Sequence, residues 1–283
     1  MFKRSDGVFV VLRVSSAPKG VFAKRKIRKT VNNACLQSVS TENGLPFYLL
    51  DIPEGMPPTV WNTIETKCGR YASRIVAPRT LTLPDCGKIR RFMPSSTPSL
   101  LTFNTAVATI KKARIEPESI SITLTDINAR HAAELDSLLP LASTLRVITA
   151  RPERYASACE KAFNDCGASV ILRSDYEASS KPDIVICCDG RLSPKAENAA
   201  VFCHKSKICG KLHIKGSGIE LHPHHRNIIP ESIDGVDFAG ALTELCGCTE
   251  YKKSCFDNIE TSCGKCGNHS PETCLKCFAE GKL

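Results

Sequence analysis

The chain has 283 residues, 42% of them hydrophobic and 24% charged, a balance that excludes a disordered or fibrous protein. Its net charge of +9 is uneven, since residues 1–30 hold nine Lys/Arg against one Asp. Sixteen cysteines are the unusual count, and their placement decides how they are read.

Gly7 to Val14 alternates weakly and predicts a strand. The apolar run Val8 to Leu12 is too short for a signal-peptide core or a membrane span. The cytosol is therefore the expected compartment, and no membrane partner is expected. In a reducing compartment clustered cysteines point to metal rather than disulfides. The nine scattered cysteines before residue 246 read mostly as small buried hydrophobes. Lys24, Arg25, Lys26, Arg28 and Lys29 form the densest cationic run. With Val21, Phe22, Ile27 and Val31 interleaved, it reads as the solvated face of a strand. The alternative is a phosphate-binding patch for nucleic acid or a nucleotide.

Leu45 to Ile52 predicts a second strand, closed by Pro53, Gly55, Pro57 and Pro58. Thr59 to Tyr71 fits a helix, with Trp61, Ile64 and Cys68 on one face. Arg74–Ala77 and Thr80–Leu83 read as short extended pieces. Residues 84–98 are rich in Pro, Gly, Ser and Thr and mark a boundary, so residues 1–97 are expected to form a basic α+β domain.

From Ser99 the pattern changes. Helices are predicted at Ser99–Ile115, Ala129–Leu141 and Glu153–Cys166, the last ending at Gly167. Strands are predicted at Ile120–Thr125, Thr144–Ala150, Ala168–Leu172, Asp183–Cys187 and Ala199–Cys203. Such alternation implies an α/β domain, a parallel sheet flanked by helices, over residues 98–245. The runs SVIL and DIVIC are nearly continuously apolar, as expected when both faces of a sheet are covered. Residues 208–230 read as a hairpin or irregular β piece around Gly216 and Gly218, and Asp237–Leu245 as a helix. Residues 246–283 read as a separate Cys-rich, metal-binding tail.

The segments SISITLTDINARHAAEL, TLRVITARPERYASACEKAF and PDIVICCDG resemble in pattern the Rossmann-like NAD(P)-binding superfamily, over about residues 98–205. The resemblance implies a ligand such as NAD(P), another nucleotide or a small anionic metabolite. The G-x-G-x-x-G fingerprint, which lets backbone approach a pyrophosphate closely, is absent. Two registers stay open. With Ile120–Thr125 as the first strand, Asp126 stands where a phosphate would sit and repels it. With Ile89–Met93 first, Ser95, Ser96 and Thr97 open a helix N-terminus suited to an anion. Asp126 then lies at the end of the second strand, with Asn128 beyond it, where an acid binds ribose hydroxyls. The plain alternative is that Asp126 or Asn128 caps the following helix.

Two C-x-x-C pairs stand in the tail, Cys263 with Cys266 and Cys274 with Cys277. Glycines after Cys263 and Cys266 permit a knuckle turn, and Ser270, Pro271 and Glu272 start a helix that puts Cys274 and Cys277 on one face. Knuckle and helix together suggest a four-thiolate structural zinc site of treble-clef-like form. So small a unit would draw its folding energy from the metal. An iron–sulfur cluster or a redox dithiol are the alternatives, and Cys246, Cys248, Cys255 and His269 could serve a second or shared site.

Five of the seven histidines lie between positions 204 and 225. Pro223 predicts an extended turn with His222 and His224 on one side and His225 on the other. His222 and His224 are the catalytic candidates, as metal ligands with Cys203 or Cys209, or as general acid and base. The alternative is a polar surface loop. Together these features predict a cytoplasmic Rossmann-like protein, a divergent oxidoreductase, binding a nucleotide or small anionic metabolite and carrying a structural zinc tail. The alternatives are a zinc-binding adaptor contacting nucleic acid or protein, and an iron–sulfur or redox-sensing protein.

Overall fold

The computed structural model describes residues 9–40, 46–85, 87–175, 183–189, 194–204, 210–263 and 269–282. They form two units. The first takes the chain up to Thr97 together with Glu220–Tyr251, and the second takes Pro98–Ile219 together with the chain from Lys252 on. In chain order the first unit supplies β1 (Val10–Ser15), α1 (Ala23–Asn33), β2 (Gln37–Ser40), β3 (Pro46–Pro53), α2 (Trp61–Cys68) and β4 (Ile75–Val76). Next come α3 (Thr97–Ala113), β5 (Ser121–Thr125), β6 (Thr144–Ile148), α4 (Ala156–Cys166), β7 (Val170–Arg173), β8 (Ile184–Cys187), β9 (Ala200–Cys203) and β10 (Leu212–Ser217). The chain returns to the first unit for α5 (Pro223–Arg226) and α6 (Gly235–Cys246), and ends in the second with β11 (Asn258–Ser262) and α7 (Pro271–Ala279).

The first unit is built on a four-stranded sheet ordered β2-β3-β1-β4. β1, β3 and β4 run parallel, and β2 closes the edge antiparallel. Phe9, Phe47 and Phe238 of α6 meet with ring centroids 5.4–5.9 Å apart. Phe9 and Phe47 stack face to face and Phe238 meets both edge-on, and aromatic pairs of these kinds add roughly 0.5–1.5 kcal/mol beyond area burial. Asp234 caps α6, accepting from the amides of Val236 at 2.9 Å and Asp237 at 3.3 Å. The cationic run does not form the expected strand. It lies on α1, where Ile27 and Val31, four residues apart, are buried while Lys24, Arg25, Lys26, Arg28 and Lys29 face solvent. Spacing by four, not alternation, set the element. Cys68 packs in this core, and burial pushes its thiol up to about 11, so it acts as a small hydrophobe.

The second unit holds a seven-stranded sheet ordered β11-β10-β9-β8-β5-β6-β7. Strands β5 to β10 are all parallel, and counted from β5 their order is 3-2-1-4-5-6, the doubly wound Rossmann order. All four residues of β8 and of β9 are buried, with separate apolar clusters on the two faces. α4 ends at Gly167, whose φ of +66° provides the left-handed cap. The helix expected over Ala129–Leu141 is replaced by two 3₁₀ segments, Ala132–Ser137 and Leu139–Leu141. Pro140 lacks the amide that a continuing α-helix would use.

Two boundaries differ from expectation. Residues 220–245 pack in the first unit, not in the parallel domain. The cysteine-rich tail is not a separate unit either. β11 pairs antiparallel with β10, from His213↔Ser262 to Ser217↔Asn258, and α7 buries Cys274 and Leu275 in the core of the second unit. An unpaired sheet edge and an apolar core already in place supply what the tail lacks. None of the described cysteines is in a disulfide. Among the described residues no helix is long and apolar enough to cross a membrane.

Candidate functional site

In a doubly wound sheet the usual ligand crevice lies at the carboxyl ends of the strands, where the order reverses. Here that point is β5, flanked by β6 and β8. The residue after β5 is Asp126, which is fully buried. Its Oδ2 accepts from the His131 amide at 2.7 Å and from Tyr155 Oη at 2.6 Å. His131 Nε2 lies 2.8 Å from Ser99 Oγ, and its ring stacks on Phe103 at 4.8 Å. Asp189, two residues past β8, accepts from the Ile127 amide. Asp126 Oδ1 and His131 Nδ1 are buried with no hydrogen-bond partner among the described residues. Burial lowers the His131 pKa against the pull of Asp126. Burial, and then Asp126, raises that of Tyr155. The Cys188 thiol is pushed well up by burial. Asn128 is exposed in the turn.

β5 is thus the first strand of the sheet. Ile89–Met93 is not a strand of that sheet; it lies in the first unit, where Arg91 makes one isolated bridge to Ile75. The turn after β5 offers a pyrophosphate little. The Ile127 and His131 amides are taken by carboxylates, and a 3₁₀ segment follows instead of an α-helix.

Ser95, Ser96 and Thr97 do form an anion-binding helix N-terminus, and the anion is Glu244 of α6. Its Oε1 accepts from their amides at 3.0, 2.8 and 2.9 Å. Burial pushes the Glu244 pKa up, but these hydrogen bonds outweigh it and the net shift is downward. α6 comes this close because residue 240 is glycine, since a Cβ there would stand 2.4 Å from that of Pro94.

The histidine segment is helical, not extended. Pro223 opens the single turn of α5. This turn keeps His222 beside His224 and also brings His225 to His224, with ring centroids 4.0 Å apart. Glu250 joins them, its Oε2 3.5 Å from His224 Nε2 and 3.7 Å from His225 Nδ1. Tyr251 Oη lies 2.6 Å from His225 Nδ1, and His222 stacks on His224 at 5.6 Å. Glu250 lies 25 residues after His225, so no local motif announced it. Cys203 belongs to the second unit, where it meets His213 Nε2 at 3.0 Å. Cys209 lies outside the described residues.

Of the tail cysteines, Cys263 directly follows β11, and Cys274 and Cys277 stand on α7. Cys274 Sγ lies 3.8 Å from the His269 carbonyl and 3.9 Å from Thr261 Oγ1. Cys266 lies outside the described residues. Among the described residues, His224, His225 and Glu250 are the group of three or more metal-binding side chains whose ligand atoms converge.

The first unit also holds a cavity of about 530 Å³ at the carboxyl ends of β1 and β3. Ser15, Ser16, Thr80, Thr82 and Ser232 line it with hydroxyls, Trp61 adds apolar surface, and among the described residues Glu54 is the one charged lining residue. No sequence motif marked it, because its walls come from four separate stretches.

No family model matches the chain, and no curated protein matches it. Solved structures do match, among them L-tryptophan dehydrogenase from Nostoc punctiforme, 14% identical with a TM-score of 0.32, covering 87% of this chain and 76% of that one. The class of the protein rests on its own strand order, which is Rossmann-like α/β.

Proposed function

We propose that the protein binds a small uncharged or cationic metabolite at the carboxyl edge of the first unit's parallel sheet, and that its Rossmann-like unit does not cradle a dinucleotide at the β5 turn. The observation that carries this reading is the cavity of about 530 Å³ at the ends of β1 and β3, within the usual range for small ligands. Among the described residues its lining has hydroxyls and one carboxylate but no Lys or Arg, so polyols and amines suit it better than the anionic metabolite expected from sequence. The test is a calorimetric screen of polyols, amines, carboxylates and NAD(P)H. Hits among the first two classes should vanish in Thr80→Trp, which fills the cavity, and amine hits should weaken about tenfold in Glu54→Gln. NAD(P)H binding that survives Thr80→Trp would overturn the reading.

A structural zinc in the tail is the second reading. Cys263 at the end of β11, and Cys274 and Cys277 one turn apart on α7, flank the short segment that carries Cys266. Zinc content that is unchanged in Cys277→Ser would dismiss it, and a brown protein would replace it with an iron–sulfur cluster.

A further inference from the structure

We propose that His224, His225 and Glu250 hold a divalent transition-metal ion of the zinc class, at a site that keeps a coordination position open to water. This goes beyond the ligand cavity and does not depend on it.

Geometry comes first. Around an ion bonded at ~2.0–2.1 Å, the edges of a ligand tetrahedron are about 3.3–3.4 Å. The two carboxylate-to-imidazole edges here are 3.5 and 3.7 Å, and all three ligand atoms lie within 4.8 Å of one another. The two carboxylate edges need contract by only a few tenths of an ångström, and the edge between the imidazoles is no longer than 4.8 Å. The donor set points the same way. Two imidazoles and one carboxylate suit zinc, iron(II), cobalt or nickel, whereas calcium and magnesium call for oxygen ligands throughout.

Charge supplies a third argument. The two rings stand 4.0 Å apart with the Glu250 carboxylate beside both. A divalent ion serves both imidazoles and the carboxylate at once. The His225 side chain is 1% exposed, and the ligand atoms His224 Nε2 and Glu250 Oε2 are buried too, so an ion would sit below the surface. Three protein ligands leave it a fourth position for a water, the coordination of zinc sites that activate water. His222 stacks on the His224 ring and steadies it, while the Tyr251 hydroxyl, 2.6 Å from the same His225 Nδ1, is the partner that an ion bound there would displace.

The experiment is a cobalt(II) titration of the full chain after chelator treatment, in a Cys277→Ser background that disables the tail thiolates. A single equivalent should bind with visible ligand-field bands and no thiolate charge-transfer absorption. Glu250→Gln, nearly isosteric, should keep the wild-type melting profile without metal and weaken cobalt binding by at least about tenfold. His224→Ala should do the same, and His213→Ala should leave binding unchanged. A chain that binds no cobalt through nitrogen and oxygen, or a Glu250→Gln chain that binds it as tightly as its parent, overturns the proposal and leaves the three side chains as an ion-pair cluster.

Discussion

A carboxylate removed from water needs donors, and Asp126 and Glu244 meet that need differently. Asp126 receives a backbone amide and the Tyr155 hydroxyl on one oxygen. Tyr155→Phe should cost about 1–3 kcal/mol, read as a lower urea midpoint at unchanged slope. Glu244 takes three backbone amides and has a lowered pKa in the fold. Its stabilising contribution is present above the unfolded value of 4.5 and is lost as pH falls through the folded value. The stability gap between wild type and Glu244→Gln should therefore shrink below pH 4.5, and a gap flat from neutral to strongly acid pH would remove Glu244 from the account. The anion-binding amides of Ser95–Thr97 were legible, because serines and Pro98 announce a helix start. Their anion was not, because it lies 147–149 residues away and no local pattern encodes that pairing.

Among the elements, those with a continuous apolar run or a glycine cap were readable, and those with a sparse inner face were not. α4 ends at its glycine, and the apolar runs of β8 and β9 are buried strands. α1 was read as a strand because only two apolar residues mark its inner face. The tail looked too small to fold without metal, since its cysteines drew notice while the edge of β10 could not be seen from sequence. Leu275 is fully buried against the second unit's core, so Leu275→Ala should cost about 2–5 kcal/mol and raise proteolysis in α7. Chelator alone should leave β11 and α7 protected from hydrogen exchange. Loss of that protection would mean that metal holds the tail after all.

For the whole molecule, alternating strands and helices were enough to assign the α/β class, because a buried parallel sheet leaves a continuous apolar signature. The return of residues 220–251 to the first unit was invisible, since a helix's amphipathic pattern does not name the sheet it will cover. The chain passes between the two units three times. A chain stopped at Ile219 lacks α6 for the first unit and β11 and α7 for the second. It should lose the cooperative thermal transition of the full chain, and a truncated protein melting like wild type would contradict this division.

The aromatic trio of Phe9, Phe47 and Phe238 joins two ends of a long stretch of synthesis. A ribosome adding roughly 5–20 residues per second needs about ten seconds or more to travel from the first two rings to the third. Over that interval the nascent amino-terminal sheet emerges with two phenylalanines uncovered, a surface that chaperones would meet before the protein could cover it itself. Codon choice between those points, and not only amino-acid choice, then bears on how much of the product reaches the native state.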